Sequence, residues 1–117
     1  MAAMHEERRR FVRRHCTLPI ELRTIASPFP VINETNDLSL TGCYVRLLST
    51  YQVGTKVDIV LWAGETKISF RGTVRTADAN VGNGIEFTGM TDEQRKRLQD
   101  YLDAIDAPTS KSDFIFR

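Results

Sequence analysis

Five of the chain's sixteen Lys and Arg residues fall within seven positions, Arg8-Arg9-Arg10-Phe11-Val12-Arg13-Arg14. A guanidinium presents a planar fork that meets a phosphate with two parallel, charge-assisted hydrogen bonds. The same fork pairs with O6 and N7 of guanine and stacks on a base face. Arg9 and Arg13 are four apart, a spacing that can aim two guanidiniums at one place from a helix or an irregular turn. The cluster therefore suits both the phosphates and the bases of a guanine nucleotide. It also suits a plainer role, because runs of charge are often solvated termini that touch RNA or an acidic partner.

A second group is Asp37-Leu38-Ser39-Leu40-Thr41-Gly42. A carboxylate at Asp37 matches the adjacent N1–H and N2–H2 donors of guanine. Ser39 adds a hydroxyl that donates or accepts. Gly42 permits backbone conformations closed to other residues and lets a ligand come close. Taken alone, the stretch reads first as an Asx or Ser turn ahead of a strand. Elsewhere the chemistry is sparse. His5, His15 and Cys16 do not make a complete metal-ligand pattern. Cys16 and Cys43 form no CxxC pair and read as two small buried hydrophobes in a reducing compartment. With no nucleophile–base pair, paired carboxylates or phosphate-cradling glycine loop, no enzyme, metal or cofactor is expected.

The elements that must carry these groups are mostly strands. At 117 residues, 41% apolar and 26% charged, the chain has the length of one domain and an ordinary globular composition. Its net charge of +1 argues against general nucleic-acid or membrane binding and makes the arginine cluster a local feature. Cys16, Leu18, Ile20 and Leu22 alternate with polar positions, which marks a half-buried strand, with Pro19 at an edge or barrel rim. Ser27-Pro28-Phe29-Pro30 reads as a turn, and Val31 to Asn36 as a second strand. Asp37 to Gly42 is the loop. A third strand carries Cys43, Val45 and Leu47, and a fourth Val57, Ile59 and Leu61, with Val53-Gly54-Thr55 as the turn between them. Ala63-Gly64-Glu65 makes a tight hairpin into a fifth strand with Ile68, Phe70 and Val74, where Gly72 marks a bend or bulge. Ala77 to Asn83 is turn-like, and Gly84 to Phe87 is a sixth strand. Trp62 is expected to pack in the barrel.

The period then changes. Thr91-Asp92-Glu93-Gln94 fits a capping box, and Leu98, Tyr101, Leu102 and Ile105 recur at helical spacing up to the stop at Pro108. Six short strands and a helix indicate a barrel or sandwich. The expected layout is a flexible N-terminus at 1–7 and a domain at 8–107. Within it, 8–14 is the arginine arm, 15–89 the barrel and 91–105 the helix. A tail follows at 108–117, with an apolar Phe114-Ile115-Phe116 whose role the sequence does not assign. No apolar run is long enough to span a bilayer, and no signal peptide is evident, so the protein is expected to be cytoplasmic.

In order and separation, Arg9-xxx-Arg13 followed by Asp37-x-Ser39-xx-Gly42 closely resembles the PilZ domain family, whose pattern is RxxxR, a strand pair, then [D/N]xSxxG. The resemblance covers about residues 6–105 and includes Gly72-Thr73-Val74-Arg75 and Gly84-Ile85-Glu86-Phe87. It implies an all-β fold with a terminal helix, a six-stranded antiparallel β-barrel capped by a C-terminal α-helix. It implies a bacterial receptor for cyclic di-GMP. Arg9 and Arg13 would grip phosphates and guanine edges, Asp37 and Ser39 would read a guanine, and Gly42 would shape the loop. Arg8, just before the pair, is associated in this family with an intercalated ligand dimer, so two molecules per domain are expected. Arg75 would add a contact from the barrel face, while Arg10 and Arg14 add charge or face solvent. The expected output is a conformational change read in trans by an unidentified target protein, in motility or exopolysaccharide regulation, by a monomer that binds no nucleic acid. Two alternatives stay open: a small-barrel nucleic-acid-binding protein, and a ligand-independent PilZ-like interaction module.

Overall fold

A computed structural model describes residues 16–105 and, within that span, every side chain but that of Pro28. The arginine arm, the expected flexible terminus and the apolar tail lie outside the described residues. Six strands form the barrel: β1 (Pro19–Thr24), β2 (Ser27–Leu38), β3 (Gly42–Arg46), β4 (Lys56–Ala63), β5 (Thr66–Asp78) and β6 (Gly82–Phe87). One helix, α1 (Asp92–Ile105), follows. The strands close in the order β1-β2-β3-β6-β5-β4, and every neighbouring pair is antiparallel.

Alternation selects the interior. Ile20 and Leu22, Cys43 and Val45, Val57, Ile59 and Leu61, and Ile68, Phe70 and Val74 all turn inward and are buried. The helix closes the same core with Leu98 and Leu102, while Tyr101 is half-buried and Ile105 is 38% exposed. The capping box forms in full: Gln94 N donates to Thr91 Oγ1 at 3.1 Å, and Thr91 N donates to Gln94 Oε1 at 2.9 Å. Gln94 Nε2 also donates to the Ser69 carbonyl of β5, so the cap fixes where the helix lands on the barrel. Thr91→Ala is expected to cost about 1 kcal/mol, read as a lower midpoint in urea with an unchanged slope.

Several expectations need correction. The first turn is Ile25–Ala26, and Ser27-Pro28-Phe29-Pro30 already belongs to β2. Up to Glu34, β2 pairs only with β1; its pairing with β3 begins at Thr35. The prolines therefore sit on an open edge, where a strand tolerates a missing donor. β1 starts at Pro19, and Cys16, expected to be buried, is half-buried ahead of it. β5 and β6 extend into the stretch expected to be a turn, which shortens to Ala79–Val81, with Asn80 in the left-handed region at φ 63°. Gly72 is neither bend nor bulge. It pairs regularly with Val57 and Phe87, and a Cβ there would meet Ile59 Cδ1 at 2.7 Å and the Glu86 carbonyl at 2.8 Å. The register shift in β5 lies between Val74 and Thr76 instead. Trp62 falls in the outward phase of β4 and is half-buried, because Leu61 and Ala63 take the inward positions.

The crossing from β3 to β4 is held by a residue that turn chemistry alone did not single out. Asn83 is fully buried. Its Oδ1 accepts from Tyr51 N at 2.8 Å, and its Nδ2 donates to the carbonyls of Tyr51 and Thr76. One side chain thus satisfies the backbone of the crossing loop and of β5, as burial of those polar groups requires. Burial also raises the pKa of the Tyr51 phenol above its ordinary value.

Candidate functional site

The Asp37 stretch is part strand and part loop. Asp37 and Leu38 complete β2, Ser39 to Thr41 make the connection, and Gly42 opens β3. Ser39 is buried and works inside the connection. Its N–H donates to the Gly42 carbonyl at 2.9 Å, and its Oγ accepts from Thr41 N at 3.2 Å. The Ser39 hydroxyl also lies 3.2 Å from Thr41 Oγ1 and 3.4 Å from the Gly42 carbonyl. Phe87 N donates to the Thr41 carbonyl, which ties the connection to β6.

Gly42 is needed for a reason other than backbone freedom. It lies outside the left-handed region, where only Gly54 and Gly64 occur among the described glycines. It is buried against β6, and a Cβ on it would run into the Ile85 carbonyl oxygen. The motif glycine lets β3 and β6 close at the point where the connection begins.

Asp37 pairs in register with Tyr44, Tyr44 with Gly84, and Gly84 with Thr76. These residues, with Thr41, Arg75, Ile85 and Glu86, line an open recess of about 420 Å³ on the outside of β2, β3, β6 and β5. Arg75 stands at the register shift of β5, and its Nε donates to Glu86 Oε1. The Tyr44 hydroxyl donates to Asp78 Oδ2 at 2.7 Å. That hydrogen bond, then burial and the Asp78 charge, raise the Tyr44 pKa; Arg46 opposes and Asp37 adds to the rise. The phenol therefore keeps its proton and stays a donor.

Of the residues expected at a site, the structure brings Asp37 and Arg75 to one recess and places Ser39 and Gly42 at its edge as loop and strand organisers. Arg8, Arg9, Arg10, Arg13 and Arg14 lie outside the described residues. The arm's point of departure is nonetheless defined. Thr35, buried on β2, accepts from Leu18 N at 2.9 Å and donates to the Cys16 carbonyl at 2.7 Å. The chain therefore joins the barrel beside β2, two residues before Asp37.

The family model for the PilZ domain matches residues 7–104. The chain belongs to the PilZ domain family. The match spans both motif stretches, including the arm. Among solved structures, the PilZ domain resembles Escherichia coli YcgR in complex with c-di-GMP, with a TM-score of 0.76, 17% identity, and coverage of 94% of this chain and 51% of YcgR. It also resembles the PilZ domain of CeSA from a cellulose-synthesising bacterium, at 0.63, 18%, 81% and 98%. The Bacillus subtilis inhibitor of motility MotI/DgrA gives 0.66, 19%, 80% and 48%. The chain thus spans about half the length of MotI and of YcgR. No curated protein matches it in sequence. At such identities the structural likeness establishes the fold: a closed six-stranded antiparallel PilZ barrel with its C-terminal helix.

Tyr44, Asp78 and Glu86 were not singled out by sequence. Alternation did mark Tyr44 as outward, between inward Cys43 and Val45. Asp78 is 34 positions away and meets Tyr44 only because β6 lies between β3 and β5. Among the described residues there is no His, Cys, Asp and Glu group suited to a metal ion, and no helix long and apolar enough to cross a membrane.

Proposed function

We propose that this PilZ domain is a receptor for cyclic di-GMP that changes conformation on binding and signals to a partner protein in trans. The observation that carries the reading is the anchorage at Thr35. Cys16 and Leu18 are tied beside Asp37, so covalent geometry alone keeps the Cα of Arg13 within about 11 Å of that of Cys16. That anchorage supports a site built from two motifs far apart in sequence. The recess itself asks for this complement. Its rim carries Asp37 and Glu86, and its guanidinium, Arg75, is already engaged by Glu86. A ligand with two phosphates needs positive charge brought from outside the recess, and the arm holds five arginines. Asp37 supplies what the arm lacks, an acceptor for the N1–H and N2–H2 edge of guanine.

The arm is the movable part of this mechanism. Unliganded, its arginines repel one another. Ligand phosphates neutralise them and draw the segment across the recess, with Arg9 and Arg13 on phosphates and guanine edges. Ordering costs about 1–2 kcal/mol per backbone residue, and charge-assisted hydrogen bonds at roughly 1.5–3 kcal/mol each offset it. Ser39 and Gly42 hold the Asp37 end of the site in shape. Arg8 extends the guanidinium row for a second ligand molecule, giving two per domain. The ordered arm makes a new surface for a target protein in the cytoplasm, and motility control, named for MotI, is the kind of output that fits.

Calorimetric titration of Asp37→Ala with cyclic di-GMP tests the reading at its described half. Loss of the guanine-edge acceptor is expected to weaken binding by roughly 10–150-fold. Unchanged affinity would remove Asp37 from the site.

A further inference from the structure

Tyr44 spans an unusual distance for a strand residue. Its Cα is on β3, yet its hydroxyl reaches Asp78 on β5, with β6 between. Strands two apart in a sheet are separated by about 9.5 Å. The side chain covers that gap only by lying down across β6 rather than standing up from the sheet. β6 makes room for it at Gly82, where a Cβ would collide with the ring, and passes beneath it at Gly84, where a Cβ would make only ordinary contact. Opposite Tyr44 is Gly84, where a Cβ would be 3.8 Å from ring atom Cδ1. At Gly82 a Cβ would stand 2.8 Å from Cε2, at the other edge of the ring. One face of the ring is thus seated on the β6 backbone, and the hydroxyl is pinned by Asp78. The ring is half-buried and lines the recess, beside its register partner Asp37.

A flat, immobilised aromatic ring beside a carboxylate is the arrangement that holds a purine by its face and reads it by its edge. We propose that Tyr44 is the stacking platform for a guanine base, with Asp78 as the residue that holds the platform level. This rests on the receptor reading above. A guanine on the ring turns its N1–H and N2–H2 edge toward Asp37, while its phosphates project toward the side where the arm joins the barrel. Base stacking is sequence-tolerant, so Tyr44 supplies affinity for any purine and Asp37 supplies the preference for guanine.

The test compares wild type, Tyr44→Phe and Tyr44→Leu by calorimetric titration with cyclic di-GMP, with intermolecular nuclear Overhauser contacts measured on the wild-type complex. Tyr44→Phe keeps the ring and is expected to bind within about threefold of wild type; Tyr44→Leu removes it and is expected to bind about 5–150-fold more weakly. In the wild type, Tyr44 ring protons are expected to contact guanine H8. Leucine binding within twofold of wild type overturns the platform, and so does a loss in Tyr44→Phe as large as in Tyr44→Leu, which would place the effect on the hydroxyl. Absence of the ring–H8 contact in a wild-type complex that does form overturns it however the leucine variant folds. A wild type that does not bind at all overturns the platform together with the receptor reading.

Discussion

Arg9→Ala and Arg13→Ala are each expected to weaken cyclic di-GMP binding by about 100-fold or more, the largest losses at any position of this domain. Each substitution removes a fork that makes two charge-assisted hydrogen bonds at roughly 1.5–3 kcal/mol each. About 3 kcal/mol corresponds to about 150-fold in affinity. The recess compensates poorly, because Arg75 already shares its Nε–H with Glu86 and the nearby carboxylates would repel an uncovered phosphate. Lysine at either position retains the charge without the planar fork, so Arg9→Lys and Arg13→Lys are expected to fall between alanine and wild type. Calorimetric titration reads the order directly. Alanine variants that bind within threefold of wild type would remove the arm from the site.

Gly42→Ala is expected to destabilise the fold by about 3 kcal/mol, a larger effect than any surface substitution in the recess. The added Cβ points at the Ile85 carbonyl of β6, and a backbone oxygen cannot swing aside as a side chain can. β3 and β6 must separate at Gly42–Glu86, which also strains the bond from Phe87 N to Thr41. Denaturant unfolding without ligand shows the loss. A variant of unchanged stability would mean that the glycine serves the ligand rather than the strand pair.

That distinction shows what sequence reveals and what it conceals. The inward positions of the barrel were legible because alternation is a local signal and Ile59, Leu61, Val74 and Ile85 obey it. The capping box was legible for the same reason, since Thr91 and Gln94 are three residues apart and bond each other. β2 was misread over Ser27 to Pro30 because proline chemistry is local, whereas the open edge that tolerates it is set by where β3 begins to pair. At the site, the two motifs were visible as residue types at fixed spacing, and their resemblance to one family pattern paired them. The anchorage of Cys16 and Leu18 to Thr35 was not visible, because it is a contact between positions 17 and 19 apart in sequence. Ser39 and Gly42 were legible as turn and loop formers, but the close packing of Gly42 against β6 was not, because the atom that demands it is the carbonyl oxygen of Ile85. Tyr44 was only an outward strand residue until the two glycines of β6 and Asp78 of β5 lay beside it. Asn83 looked like a turn residue, and only burial under the crossing loop gives it its work.

Binding of cyclic di-GMP between the arginine arm and the Asp37 recess is measured most directly by calorimetric titration of the wild-type protein at low and at moderate salt. Saturable binding is expected at both salt concentrations, with two ligand molecules per domain. A stoichiometry of one would contradict the role given to Arg8 and leave the site intact. No heat at either salt concentration would contradict the binding itself.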